Sequence, residues 1–421
     1  AGLGPATKTQ IQEVALVFKD DIAWGKPNWK KAWKWASHKL NDTVSLIRQT
    51  GPREWEVLDL VADEADWLLS QQTLEAMAGT EHSPRQAFAI FLTMYTDLTL
   101  DNENPIVKQI LQETDEFLYK FTTESAPDSD SFGFYALFLK IIRRDYDRAE
   151  AMFERAIEAD PTNANNLGTY ADFLKNVRHD YDRAQDMYEW AIEADPTNAN
   201  NLGTYAFFIE TIRGDHDRAE AMFERAIDAD PTNANILGTY AIFLTDVRHD
   251  HDRAQAMYER AIDADPTHAN NLGNYANFLT DVRHDHDRAQ AMYDRAIDAD
   301  PTHANNLGNY SQLLFATGRD EAAIALATRT LSLAGPGEKP LVAECRFYLF
   351  AHSPEHRRES GENLRDLLAA GVTTGSWSFE PNLERLRREK DPRYDLVRDV
   401  ADALSSGDTQ TLESRGEWYA L

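Results

Sequence analysis

From residue 126 onward the apolar positions follow helical spacing. Over 164–178 they fall at Leu167, Tyr170, Ala171, Leu174 and Val177. Over 182–194 they fall at Ala184, Met187, Tyr188, Ala191 and Ile192, which is the i, i+3, i+4, i+7, i+8 pattern of one helix face. Each stretch predicts an amphipathic helix. Asp195-Pro196-Thr197 ends the second, because proline disfavours helical geometry in the residue before it. Thr197 or Asn198 caps the next helix, and Arg178-His179-Asp180-Tyr181-Asp182 turns the first helix into the second. The unit is an antiparallel helical hairpin.

The hairpin recurs. Asp-Pro-Thr returns at Asp160, Asp195, Asp230, Asp265 and Asp300, a constant step of 35 residues. Residues 231–265 and 266–300 differ at five positions: 268, 271, 274, 277 and 294. A degenerate copy opens at Phe132-Gly133-Phe134-Tyr135-Ala136, and a diverged one occupies 301–335. One hairpin cannot bury its apolar stripe alone, so about six copies stack into an all-α solenoid.

The second-helix residues Ala184, Tyr188, Ala191 and Pro196 resemble the small-aromatic-small-proline signature of the tetratricopeptide repeat (TPR) family. In the first helix, Leu167-Gly168 stands about four residues further from Ala184 than that family's spacing. Its Tyr-Ala-x-Phe-Leu core is instead similar to the half-a-TPR (HAT) variant. The resemblance covers about 126–335, half of the chain. It implies a right-handed α-solenoid acting as a protein–protein interaction scaffold, with the first helices lining a concave surface. It brings no particular ligand.

Comparison of the copies suggests which residues line that surface. The columns 169/204/239/274, 172/207/242/277 and 176/211/246/281 vary, and their spacing of three and four puts them on one helix face. The candidate partner-binding groove is therefore Asn166, Thr169, Asp172, Asn176, Asn201, Thr204, Phe207, Thr211, Thr239, Ile242, Asp246, Asn271, Asn274, Asn277 and Asn309. Its amides and hydroxyls suit hydrogen bonds to a peptide backbone, with Phe207 and Ile242 as apolar islands. The alternative is a solvated helix face whose residues drift. The family's carboxylate-gripping clamp uses Lys and Arg at first-helix positions that here hold Asn or Thr, Lys175 being the one lysine in the five regular units. An acidic C-terminus is thus not the expected ligand. Arg178, Arg213, Arg248 and Arg283 close the first helices, where a cation complements the helix dipole.

The chain divides into an N-terminal all-helical Trp-rich region (1–125), the repeat array (126–335) and a C-terminal hairpin and cap (336–421). Helices are expected near 7–20, 28–49, 54–78, 84–99 and 105–123. Six of nine tryptophans lie in this first region. Within 28–49, Trp29, Trp33, Ala36, Leu40, Val44 and Ile47 form one stripe flanked by lysines. Trp29, Lys30, Trp33 and Lys34 mark a candidate docking helix; packing into its own domain, docking on an acidic partner and membrane-surface binding are the readings open to it. In the tail, 339–352 and 355–370 read as one more hairpin, followed by helices near 382–389 and 393–405. Trp418 either packs on the cap or serves as a docking tail.

Charge narrows the partners. There are 71 acidic and 43 basic residues in 421, a formal charge of −28. Residues 1–125 carry 12 basic and 19 acidic side chains, 126–300 carry 17 and 34, and 301–421 carry 14 and 18, so the array holds most of the field. Nucleic acid is disfavoured, and a basic segment would be steered toward the repeats. The single Cys345 rules out a disulfide framework and fits a reducing compartment, and no apolar run approaches a membrane span. No secretory signal is visible, which gives a cytoplasmic expectation; a start without Met leaves processing or excision from a longer chain open. No cofactor is implied. His249, His251, His284 and His286 sit in turns copied with their repeat, so no metal site is assigned. Asp20-Asp21 with Asn41-Asp42-x-x-Ser45 only superficially resembles the magnesium motifs of terpene cyclases. Asp128-x-Asp130 starts a calcium loop that Phe132 and Leu139 break. The expectation is a non-catalytic scaffold binding a protein or peptide segment in its concave groove. The alternatives are the sensor or regulatory part of a larger effector whose enzyme lies elsewhere and, more remotely, an enzyme site in the N-terminal helices.

Overall fold

A computed structural model describes residues 6–7, 47–51, 54–57, 112, 115, 116, 118–120, 122, 128–375 and 377–419. The chain forms two compact units, Ala1–Pro196 and Thr197–Leu421.

In the first unit, β1 (Ala6–Thr7), β3 (Glu54–Val57) and β2 (Ile47–Gly51) pair antiparallel in that order, with Ile47 opposite Val57 and Ala6 opposite Trp55. This corrects the helices expected over 7–20, 28–49 and 54–78 where they overlap these strands. Ile47, Thr50, Trp55 and Val57 favour extended backbone, and Gly51-Pro52 breaks a helix between them. Trp29, Lys30, Trp33 and Lys34 lie outside the described residues.

Two hairpins follow in this unit. They are α1 (Ser129–Phe138) with α2 (Tyr146–Ala159), and α3 (Ala164–Phe173) with α4 (Tyr181–Ala194). Asp128 caps α1 by accepting the Ser131 N–H at 2.8 Å, which is the use the sequence makes of its broken calcium-like motif. Asp115 is buried against α1 and α2. Burial pushes its carboxyl up, but Arg148, in two hydrogen bonds of 2.8 and 3.0 Å, and Tyr135 at 2.6 Å hold it below the ordinary range.

The second unit repeats the pattern. Its hairpins are α5 (Ala199–Phe208) with α6 (His216–Ala229), α7 (Ala234–Phe243) with α8 (His251–Ala264), α9 (Ala269–Asp281) with α10 (His286–Ala299), α11 (Ala304–Ala316) with α12 (Asp320–Leu333), and α13 (Lys339–His352) with α14 (Arg357–Ala369). The tail adds α15 (Glu380–Glu389), α16 (Tyr394–Ser406), α17 (Gln410–Glu413) and α18 (Gly416–Tyr419). Trp418 is buried: it meets Phe350 edge-on at 5.7 Å and its carbonyl accepts from Arg365 at 2.6 Å, so it packs on the cap.

Within a hairpin, alanines such as Ala184, Ala191, Ala254 and Ala261 are fully or nearly fully buried, letting the paired helices approach closely. Between hairpins, a second-helix aromatic stacks on the tyrosine of the next first helix: Phe153 on Tyr170 and Phe223 on Tyr240 at 5.4 Å, Tyr258 on Tyr275 at 5.5 Å, Tyr293 on Tyr310 at 5.0 Å. Four first helices do not end in α-geometry. Leu139–Arg143, Leu174–Arg178, Ile209–Arg213 and Leu244–Arg248 widen to π-helix, and the next residue or two reverse the chain, as where the Asp180 N–H donates to the Leu174 carbonyl at 3.1 Å.

Candidate functional site

The first-helix face contains two layers. The inner one holds the repeats together. Asn166 is buried and donates through Nδ2 to the Ser129 carbonyl at 2.9 Å; Asn271 does the same to Ala234 at 2.8 Å, and Asn306 to Ala269 at 3.0 Å. Each amide reaches back over a glycine of the preceding first helix. A Cβ at Gly133, Gly238 or Gly273 would stand 2.0–2.1 Å from the facing Asn Oδ1. Asn201 is likewise buried, at 8% exposure, and Ile236 fills the corresponding place over Gly203. Asn166, Asn201 and Asn271 were expected in the groove; they belong instead to the packed interior, because a side chain at that helix position points at the neighbouring helix.

The outer layer is the open one. In the first unit Thr169 and Asp172 are half-buried and Asn176 is exposed. Asp172 is engaged: it accepts from the Tyr188 hydroxyl at 2.5 Å and pairs with Lys175 at 3.5 Å. In the second unit Thr204, Thr239, Asn274, Asn277 and Asn309 are half-buried, while Phe207, Thr211, Ile242 and Asp246 are exposed. Phe207 at 44% and Ile242 at 37% occupy the same column one repeat apart, so two large apolar side chains face solvent side by side. The threonines contribute less than their type suggests. Thr204, Thr211 and Thr239 donate to carbonyls of their own helix at 2.6–2.8 Å, leaving lone pairs but no proton for a ligand. Asn309 donates to Asn277 Oδ1 at 3.2 Å, linking adjacent columns. Asp281 is exposed like Asp246, yet partial desolvation of their carboxyls by the surrounding chain raises both above the ordinary range.

The C-terminal end of this face is closed by the chain itself. Gln312, in the Phe207/Ile242 column, is buried and donates to the Ser378 carbonyl at 2.8 Å. Arg385 of α15 donates to the Phe315 carbonyl at 2.6 Å and pairs with Asp320. Phe379 sits 4.2 Å from Phe347. This closure escaped the sequence reading, although the buried column residue after Asn277 was already in register at Gln312.

The recurrent arginines have a larger role than complementing a helix dipole. Arg178 reaches back one hairpin to Asp147 and Glu150, both at 2.7 Å, and Arg248 to Asp217 and Glu220 at 2.6 and 2.7 Å. The histidines are structural too. His179, His249 and His284 take the left-handed turn, and His268 and His303 cap helices by accepting at Nδ1 from Asn271 and Asn306. No group of three metal-ligating side chains occurs among the described residues, and no described helix is long and apolar enough to cross a membrane.

Three tetratricopeptide-repeat family models match the chain, over residues 140–163, 177–234 and 283–336. No curated protein sequence matches it. Among solved structures it is similar to yeast Tom70 (19% identity, 78% of this chain and 68% of that one, TM-score 0.47). It is also similar to Pseudomonas aeruginosa pilF (17%, 49% and 91%, 0.42) and to YrrB, described as a TPR protein with an unusual peptide-binding site (22%, 46% and 97%, 0.34).

Proposed function

The chain is a tetratricopeptide-repeat protein, and from that premise we propose that it is a non-catalytic, cytoplasmic scaffold whose concave first-helix face holds a segment of a partner protein. The observation that carries the reading is the exposed Phe207–Ile242 pair, set among half-buried amides and bordered by Asp246 and Asp281. Monomeric proteins rarely leave large apolar side chains adjacent on an otherwise polar face unless something covers them. The chemistry fits a peptide presenting one or two apolar side chains and a basic one, with Asn274 and Asn309 available to its backbone. The field of the array, with 34 acidic and 17 basic residues over 126–300, favours the approach of such a segment.

The test is a peptide array probed with the full chain and with a Phe207→Asp/Ile242→Asp variant. Both side chains are exposed, so the variant should melt with the parent. Peptides retained by the parent should lose at least tenfold in affinity with the variant. Equal retention by both chains would remove the groove from the binding surface.

A further inference from the structure

Glu344 is a buried acid with no counter-charge among the described residues. It lies on α13 one repeat beyond Asn309, which is one beyond Asn274, so it continues the first groove column. The packing keeps that register: Leu341 faces Gly308 as Asn306 faces Gly273. Glu344 is 8% exposed, yet among the described residues it accepts no hydrogen bond and meets no cation. Acids elsewhere in the array, such as Glu150 and Glu220, are paired with arginines. A buried carboxylate without a partner is unfavourable unless something supplies one.

None of its described neighbours supplies that partner. Asn309 donates to Asn277 across the first and second columns at 3.2 Å; Glu344 and Gln312 are the next pair in that register, and the Gln312 amide is taken by the Ser378 carbonyl. The Tyr348 hydroxyl accepts from Trp377 Nε1 at 2.6 Å and lies in the field of both Glu344 and Asp281. The three groove columns hold no Lys or Arg from residue 197 to α13. Tyr348 thus lies in the field of both the buried carboxyl of Glu344 and the exposed one of Asp281, at the closed end of a face whose columns supply no cationic side chain there.

We propose that this end receives one cationic side chain of the bound segment, a lysine ammonium or arginine guanidinium, between Glu344 and Asp281. The proposal rests on the groove reading and adds the identity of one anchor. The ligand's N–H donors supply what Glu344 lacks. Burial alone lifts the Glu344 carboxyl to about 8. The groups that share its field are Tyr348 and Cys345 on its own helix, with Asp281 on α9 acting on Tyr348; no cation from the helices packed against α13 offsets it. A bound cation favours the ionised form, so binding releases a proton and tightens as pH rises from 6 to 8.

The experiment uses the full chain and fluorescent nonapeptides in leucine–alanine–threonine contexts. Each carries lysine, arginine, acetyl-lysine or norleucine at the centre, and affinities are read by polarisation at pH 6 and pH 8. Lysine or arginine peptides should bind at least tenfold tighter than their norleucine and acetyl-lysine counterparts at pH 8, and by a smaller factor at pH 6. Glu344→Gln should erase the preference, and Asp281→Asn should reduce it, with thermal melting confirming that both variants fold. A charge preference that survives Glu344→Gln, or binding indifferent to the central side chain, overturns the anchor and leaves the groove reading standing. Failure of every peptide to bind removes both.

Discussion

Where a first helix ends, the chain must turn through left-handed backbone. Gly214 (φ 65°) and Gly318 (φ 80°) do so without a side chain, whereas Arg144, His179, His249 and His284 take φ of 53–55° with one. That conformation costs an L-residue about 1–2 kcal/mol, against about 0.5–1 kcal/mol of extra chain entropy for glycine. His179→Gly should therefore stabilise the protein by about 0.5–1 kcal/mol in chemical denaturation. His249→Gly and His284→Gly should gain less, because their Nδ1 atoms lie 3.1 and 3.2 Å from the Thr245 and Thr280 carbonyls and that contact would be lost. Gly214→His should lose about 1 kcal/mol. A uniform gain at all three histidines would show that the carbonyl contacts contribute nothing.

Between elements, the joint that matters is an asparagine over a glycine. Ala at Gly238 would set Cβ 2.1 Å from Asn271 Oδ1 and expel the amide from the Ala234 carbonyl. Gly238→Ala should cost about 1–3 kcal/mol, much less in an Asn271→Ala background, and a double-mutant cycle should give a coupling of at least about 1 kcal/mol. Additive costs would mean the two residues act independently. The helical hairpins themselves were legible, because a 35-residue period and helix-spaced apolar residues leave one way to bury the stripes. The joint was not. Asn166, Asn201 and Asn271 are amides, and amide chemistry suggested a ligand, yet the column is nearly invariant across the copies, as packing residues are. The groove columns that do vary, with Phe207 and Ile242, lie on the open face. The π-helical endings left no mark either: Lys175-Asn176-Val177-Arg178 contains no glycine or proline. Nor did the strands at Ile47–Gly51 and Glu54–Val57, where a lysine-flanked stripe outweighed local strand preference.

For the molecule as a whole, two buried groups contribute to opposite limbs of its stability against pH. Burial, reinforced by Arg385, depresses His352 to about 4, so between about 6.5 and 4 the unfolded chain binds a proton that the folded one refuses. Stability falls as pH drops through that window. Glu344, raised to about 8, keeps its proton when folded while the unfolded chain has released it, so stability falls as pH rises from about 4.5 to 8. Glu344→Gln should therefore flatten the alkaline limb, stabilising by at most about 5 kcal/mol at pH 8 and by little at pH 5. Denaturation midpoints at the two pH values decide it; an equal gain at both would mean the carboxyl is not titrating in that window.

The contact of Gln312 with Ser378 gives the repeat face a fixed origin. A segment lying along it, as proposed, would meet a stop, and its register would be counted from that wall rather than found by sliding. The distance from the stop to the apolar pair is then set by how many copies separate them. Residues 231–265 and 266–300 are nearly interchangeable, and gaining or losing one such copy would move Phe207 relative to the wall by one whole step. Duplication within the gene would thereby alter the spacing of side chains the face can accept while leaving every side chain on it unchanged.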